Sequence, residues 1–388
     1  MTNRAILFVS ACAAIVGISY GMYSPIVPVF ARDVLGADYS EIGLIGMVNY
    51  LPYMFAPFFV GMVLDRVNKA YMLAAGIALA VFSVFMLSTV QSVPEIMLWR
   101  ALAGIAHAFF WPSSEVLIST NSAAETRVKG IAVFTGAWVA GFMVGPLIGR
   151  LVLDTYDYGA LFQLAGVAVA AALVPSLMLH RYGRPIVAQR EEVEFRASSM
   201  LQVVKEVATY PVVSTVLLYY AVTFGVVLTV YPAYMREASL TDQDIETLFF
   251  VFGLSRFATL YFVGRLARYG TIALAMAVAA TAVGMLISFA FASLLTFAVA
   301  LVLVGLAISI FYPVTLSIVT RNMPAEKMGE RLGVYEALFG VGWTIGPIAV
   351  GLSSDAFGSS SPYLALFIIG SALSGAIALS AARKGNSF

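Results

Sequence analysis

Hydrophobic residues in this chain come in long runs, with almost no two-residue alternation. Twelve stretches are apolar and long enough to cross a bilayer: residues 6–30, 42–64, 70–90, 96–120, 128–153, 160–180, 212–235, 245–266, 271–292, 294–319, 332–356 and 363–382. About 20 helical residues cover the roughly 30 Å of hydrocarbon in a bilayer. Lipid offers backbone groups no partner, so each run is expected to be helical. Only Gln91–Glu95 separates the third run from the fourth, and only Ser293 the ninth from the tenth, which predicts tight hairpins. Prolines inside the runs (Pro52, Pro57, Pro112, Pro146, Pro232, Pro313 and Pro347) predict local kinks. The first run is too long for the core of a signal peptide and is expected to be retained.

The pattern also repeats. Shifted by 201 residues, Gly104, Phe110, Pro112 and Asn121 fall on Gly305, Phe311, Pro313 and Asn322. The same shift lays Gly145-Pro146 on Gly346-Pro347 and Asp154 on Asp355, while a shift of 203–204 lays Gly21, Pro28 and Gly61 on Gly225, Pro232 and Gly264. A near-constant offset over several spans indicates duplication of a six-helix unit. The expected fold class is therefore an all-α membrane protein, twelve transmembrane helices in two six-helix pseudo-symmetric bundles. Residues 1–180 would form the first bundle, 181–210 a linker and 211–388 the second. The polar stretch His180–Tyr210 reads as a solvated linker, with a short helix on an anionic leaflet as the alternative.

Composition agrees with this class. The chain is 61% hydrophobic and 11% charged, where soluble domains carry roughly 25% charged residues. Of the 22 basic residues, 17 fall on the side that holds both termini. Arg32, Arg150 and Arg236 fall on the other side, and Arg100 and Arg256 lie within spans. That asymmetry predicts cytoplasmic termini in a multi-pass protein of the cell membrane. A net charge of +1 gives no reason to expect nucleic acid. Cys12, the one cysteine, excludes a disulfide within the chain. With only two histidines besides, neither a metal site nor a cofactor is expected. The expected partners are a small-molecule substrate, protons and the lipid bilayer, and the chain is expected to act as a monomer.

Between the second and third runs stands Gly61-Met62-Val63-Leu64-Asp65-Arg66-Val67-Asn68-Lys69. It is similar to the Gly-x-x-x-Asp-Arg-x-Gly-Arg-Arg/Lys signature of the major facilitator superfamily, matching at Gly61, Asp65, Arg66 and Lys69 and departing at Asn68. Six plus six helices and a long middle stretch also resemble that family over the whole chain. The resemblance implies a gate: Asp65 would face the positive start of the eleventh helix, worth about 0.3–1 kcal/mol when exposed, while the cytoplasmic mouth is shut. The acid that usually pairs with the basic residue is replaced by Asn121. The fifth span, with Gly141, Gly145, Pro146 and Gly149, resembles the glycine-proline motif of the family's drug:proton antiporters. Small residues at this spacing also serve close helix packing, as Gly346 and Pro347 would in the eleventh span.

A charge at the bilayer centre costs at least about 2.5–3.5 kcal/mol, so ionisable residues within spans are functional candidates. Arg100, Gly104, His107, Trp111 and Glu115 recur at spacings of 4, 3, 4 and 4, which puts them on one face of the fourth helix. A buried carboxylate and a histidine are groups that exchange protons. Glu115 is the leading candidate for proton coupling, followed by His107, with Arg100 holding their network and Glu336 as a further proton site or gate. Arg256 would meet a substrate or a carboxylate. Asn49, Tyr23, Tyr53, Trp111, Tyr220 and Tyr312 are candidates for the substrate cavity. The expected function is secondary active transport by alternating access, as proton-coupled efflux of a small organic, amphipathic or drug-like compound. The alternative is a proton symporter or facilitator for a metabolite such as a sugar or organic anion. No nucleophile–base pairing suggests an enzyme.

Overall fold

Helix covers every predicted run in the computed structural model, which describes residues 4–64, 67–122, 124–183, 211–320 and 325–384. In chain order the first eight helices are α1 (Arg4–Tyr23), α2 (Val27–Asp33), α3 (Tyr39–Leu64), α4 (Lys69–Met86), α5 (Val93–Thr120), α6 (Ala124–Leu153), α7 (Tyr158–Ala171) and α8 (Leu173–Met178). After residue 210 come α9 (Pro211–Thr229), α10 (Tyr231–Glu237), α11 (Asp242–Leu266), α12 (Gly270–Ala290), α13 (Leu294–Thr320), α14 (Ala325–Phe357) and α15 (Ser361–Lys384). Among the described residues, ten helical segments have the length and hydropathy of a membrane span. The 26 residues of α3 and the 33 of α14 complete twelve crossings.

Three runs differ from the uninterrupted helices expected: the sixth breaks at Ala172, between α7 and α8, and two others break beside prolines. The first breaks at Ser24–Ile26, between α1 and α2, and the seventh at Val230, between α9 and α10. Proline causes both breaks: Pro25 and Pro28 in one, Pro232 in the other, lack the N–H that would continue the ladder. The α2 and α10 helices then restart with proline in the first turn, where no donor is needed. Since Pro28 and Pro232 are related by the internal offset, the break is duplicated along with the spans.

The chain forms two compact units, Met1–Tyr23 with Val48–Gln202, and Ser24–Met47 with Val203–Phe388. In unit 1, α1 runs against α6 and α4 against α5. A Cβ added at Gly17 would come within 2.5 Å of the Trp138 carbonyl, and one at Gly21 within 2.6 Å of the Phe142 carbonyl. Added at Gly141 or Gly145, it would strike the carbonyls of Ala14 and Ile18. These two backbones therefore touch. Unit 2 repeats the contact between α9 and α14, where a Cβ at Gly342 would lie 2.5 Å from the Ala221 Cβ and one at Gly346 2.8 Å from the Val222 carbonyl.

Ser24–Met47 is held in unit 2 by both apolar and polar contacts. Gly43 lies against the Pro347 backbone and Gly46 against Thr229 and Pro347. Arg32 pairs with Glu237 at 2.7 Å, and Arg236 Nε donates to Asp33 at 2.7 Å. Asp355 of α14 caps α3, accepting from the backbone N–H groups of Tyr39 (3.1 Å) and Ser40 (2.7 Å). Glu237 also accepts from the hydroxyls of Tyr39 (2.7 Å) and Ser359 (2.6 Å). Burial opposes the charge on Glu237, but hydrogen bonds from Ser359 and Tyr39 and the Arg32 charge together bring its carboxyl below its ordinary value.

Gly141→Val should cost about 1–3 kcal/mol, because the neighbouring carbonyl is backbone and has nowhere to move. Gly136→Val should leave the melting temperature of the detergent-solubilised protein unchanged, since a Cβ added there would meet no other element within 4 Å among the described residues. The ties to Glu237 should follow pH with a defined sign. Its carboxylate pKa is lower folded than the ordinary 4.5, so its stabilisation is complete above about 4.5 and is lost as pH falls through the folded value. Amide exchange of residues 34–41, corrected for intrinsic rates, should therefore be slower than in Glu237→Gln at neutral pH and equal to it in acid. The Arg32–Glu237 pair is solvent-exposed, so its coupling energy should be only about 0.2–1 kcal/mol.

Candidate functional site

The fourth-span face sits on α5, and the glycine of its Arg-x-x-x-Gly element has a steric reason. A Cβ at Gly104 would collide with the Asn49 carbonyl of α3, so only glycine lets α5 approach α3 there. One turn before it, Arg100 is buried to 2% exposure. Its guanidinium lies 5.8 Å from the Tyr23 ring. Its Nε and Nη1 meet no hydrogen-bond acceptor among the described residues, and the side-chain amide of Asn49, 1% exposed, likewise has neither atom satisfied. Buried polar atoms of this kind are few in native proteins and need a partner to offset their desolvation.

Aromatic rings wall this centre. Tyr20 of α1 shares a hydroxyl contact of 3.2 Å with Tyr50 of α3, and its ring stands edge-on to His107 (5.1 Å) and Tyr23 (5.6 Å). Trp138 of α6 lies 6.2 Å from Tyr20, 5.6 Å from Trp111 and stacked at 5.4 Å on Phe142. His107, Trp111 and Glu115 are half-buried on α5. The structure thus gathers Tyr23, Arg100, His107 and Trp111, and adds Tyr20, Tyr50, Trp138 and Phe142. Such a pocket can take an apolar or aromatic body and one polar or anionic group.

Arg256 occupies a different aromatic cage, in unit 2. It is 7% exposed, with its guanidinium 4.9 Å from the Phe224 ring and 5.5 Å from Phe252. Ser309 donates to its backbone carbonyl at 3.1 Å. Tyr220 contacts Phe311 (5.2 Å) and Phe339 (5.0 Å), Phe339 contacts Trp343 (4.5 Å), and Tyr312 lies 6.2 Å from Phe339. Tyr53 is half-buried on α3.

The signature between the second and third spans lies largely outside the described residues: Asp65 and Arg66 are among those left out, as are the side-chain surroundings of Gly61 and Glu336. What is described explains two departures from the family pattern. Asn68 is the N-cap of α4, accepting from the Ala70 N–H at 2.9 Å and donating to the His180 carbonyl at 2.9 Å. Asn121 donates to the Tyr182 carbonyl at 3.1 Å, and the buried Lys69 donates its backbone N–H to the Gly183 carbonyl at 2.8 Å. Both asparagines hold residues 180–183 against the rest of unit 1. In the fifth and eleventh spans, Gly145, Gly149 and Pro146 are buried on α6, while Gly346 and Pro347 lie on α14 facing α9 and α3.

Sequence reasoning missed Glu246, which is fully buried on α11. An acid two residues into the predicted 245–266 span was the available signal. It also missed Asp33, Arg236 and Glu237, whose pairing depends on residues about 200 positions apart meeting. Among the described residues, no group of acids, histidines and cysteine could hold a metal.

Arg100→Met should separate function from packing at this centre. A buried charge with unsatisfied donors is costly to desolvate, and an apolar side chain of similar volume removes that cost. The variant should therefore melt at or above the wild-type temperature while losing ligand-induced stabilisation.

Comparison with known proteins places this geometry in a family. The family model described as Major Facilitator Superfamily matches residues 9–272 and 212–384. An uncharacterized MFS-type transporter of Methanocaldococcus jannaschii is 23% identical, with 93% of each chain covered. The quinolone resistance protein NorA of Staphylococcus aureus is 21% identical over 97% of this chain and 95% of its own. Among solved structures, the nucleoside transporter NupG aligns with a TM-score of 0.77 at 13% identity, covering 98% of this chain and 99% of that one. A peptide transporter, POT in complex with sulfate, aligns with a TM-score of 0.81 at 12% identity, covering 98% and 95%. The shared fold is twelve helices in two six-helix bundles.

Proposed function

This chain belongs to the Major Facilitator Superfamily and is a multi-pass membrane transporter rather than an enzyme, and we propose that it exports a small organic, amphipathic or drug-like compound in exchange for protons. The observation that carries this reading is the aromatic-walled centre of unit 1, where Arg100 and Asn49 keep polar atoms unsatisfied beside His107. Rings of that density suit a flat apolar substrate body. The full-length similarity to a quinolone resistance protein supports a substrate of the same broad kind.

In this reading residues 1–180 and 211–388 act as the two rocking halves around a midplane site, joined by 181–210. The chain works as a monomer in the cell membrane, with both termini cytoplasmic, as its basic residues favour. Asp65, with Gly61, Arg66 and Lys69, closes the cytoplasmic mouth. Glu115 carries the coupling proton, His107 and Glu336 assist, and Arg100 sets their electrostatics. Asn49, Tyr53 and Trp111 on one half and Arg256, Tyr220 and Tyr312 on the other contact substrate. A second reading, symport or facilitated movement of an organic anion, is favoured by one observation: no carboxylate among the described residues stands within ion-pair distance of Arg100.

Proteoliposomes decide between them. A substrate found by thermal stabilisation should accumulate against its gradient when protons run the other way, and Glu115→Gln should abolish that accumulation while sparing substrate counterflow. Unchanged pH-driven accumulation in Glu115→Gln would remove it from the coupling role. Accumulation that runs with the proton gradient, or equilibration without accumulation, would establish the second reading.

A further inference from the structure

Glu246 lies in the second turn of α11 with no exposed surface, and neither carboxylate oxygen meets a hydrogen-bond donor among the described residues. An ionised carboxylate held this way is costly, and such groups are neutral in an apolar interior. One turn before it stands Asp242, whose Oδ1 is 3.8 Å from Arg236 Nη1. Arg236 in turn donates through Nε to Asp33 at 2.7 Å, one of the ties that hold Ser24–Met47 in unit 2.

The other ionisable groups near this end are few. Asp244 shares α11, and α10 brings Tyr231, Tyr234, Arg236 and Glu237. The principal packing partner of α11 is α13, whose sole ionisable side chain is Tyr312, well toward its opposite end. Arg268 and Tyr269 lie beyond the far end of α11. The cation nearest Asp242 among the described ion pairs is Arg236, and it is already shared between Asp33 and Asp242, one turn from Glu246.

We propose that Glu246 is a proton-binding site that controls the attachment of Ser24–Met47 to unit 2. Protonated, it leaves Arg236 to Asp33. When its O–H bond breaks and the proton passes to water, a second negative charge appears one turn from Asp242. Arg236 is drawn inward, Asp33 is released, and the bonds of Arg32 and Tyr39 to Glu237, the Asp355 cap on α3 and the Gly43 and Gly46 contacts remain as a looser hold. On the orientation proposed above this end faces outward, so protons arriving from outside would shut it. What that closure accomplishes rests on the transport reading, whereas the protonation and the release do not.

The test uses the full chain in lipid nanodiscs. Cys12 is replaced by serine, and spin labels are placed at Val34 and Phe357, which are 54% and 79% exposed and both in unit 2. The label–label distance should be short in acid and longer and broader at alkaline pH. Glu246→Gln should keep it short at every pH, and Asp33→Asn should lengthen it even in acid. Infrared difference spectra on alkalinisation should show loss of a protonated-carboxyl C=O band that is absent from Glu246→Gln. A wild type without pH response, or a Glu246→Gln variant that keeps either the distance change or the band, overturns the proposal. If Glu246→Gln does not fold, Glu246→Asp should retain the response at a displaced midpoint, and an unmoved midpoint counts against it equally. Because no readout involves substrate, failure of proton-driven transport leaves this result standing, and the reverse also holds.

Discussion

Helix backbones in direct contact are the constraint on which the other geometry of this protein depends. Within a bilayer, association gains little from hydrophobic transfer, because lipid tails are as apolar as the side chains that would leave them. Packing must come from close van der Waals approach instead. Here α1 and α6 meet through Gly17, Gly21, Gly141 and Gly145, and α9 and α14 through Gly225, Gly342 and Gly346. The first contact fixes where Tyr20 and Tyr23 stand relative to Trp138 and Phe142, and so shapes the walls around Arg100 and His107. The second places Tyr220 and Phe224 against Phe339 and Trp343, the cage beside Arg256. Each aromatic site is thus a by-product of a glycine contact.

This is why so much of the fold could be read from residue order. Span length, proline position and the glycine offset are local patterns that survive without tertiary knowledge, and Gly145 and Gly346 kept their 201-residue relation in space as well as in sequence. The α5 stripe was legible for the same reason, since spacings of 3 and 4 fix a common face. Partnership across the chain was not legible. Tyr50, Trp138 and Phe142 look like ordinary span residues until the helices assemble. Asn68 and Asn121 looked like defects in a family signature, yet each supplies an amide that a glycine or a carboxylate could not, and together they bind residues 180–183.

Glu246 shows a second kind of blindness. Acids near the start of a span read as solvated cap residues, and Asp242 and Asp244 beside it do occupy the first turn of α11. Only the assembled structure separates Asp244, which caps its own helix through Thr241, from Glu246, two residues further on and without exposed surface. A difference of two residues along a helix turns the side chain by about 200°, since each residue advances the helix by roughly 100°. That rotation moves a carboxylate from water to the interior.

The placement of Ser24–Met47 in unit 2 is where these threads join. Its dry contacts, Gly43 and Gly46 on Pro347 and Gly351 on Tyr39, demand close fit but carry no charge. Its polar ties are part-exposed ion pairs and hydrogen bonds, and exposed ion pairs contribute only about 0.2–1 kcal/mol each. A hold made this way is specific without being strong. One pKa unit of difference between two states corresponds to about 1.36 kcal/mol, comparable to one or two such ties. A single buried carboxyl one turn from Asp242, which shares Arg236 with Asp33, is therefore of the right magnitude to make or loosen that tie. Had the same attachment been made by further glycine-on-backbone contact, no proton could have moved it.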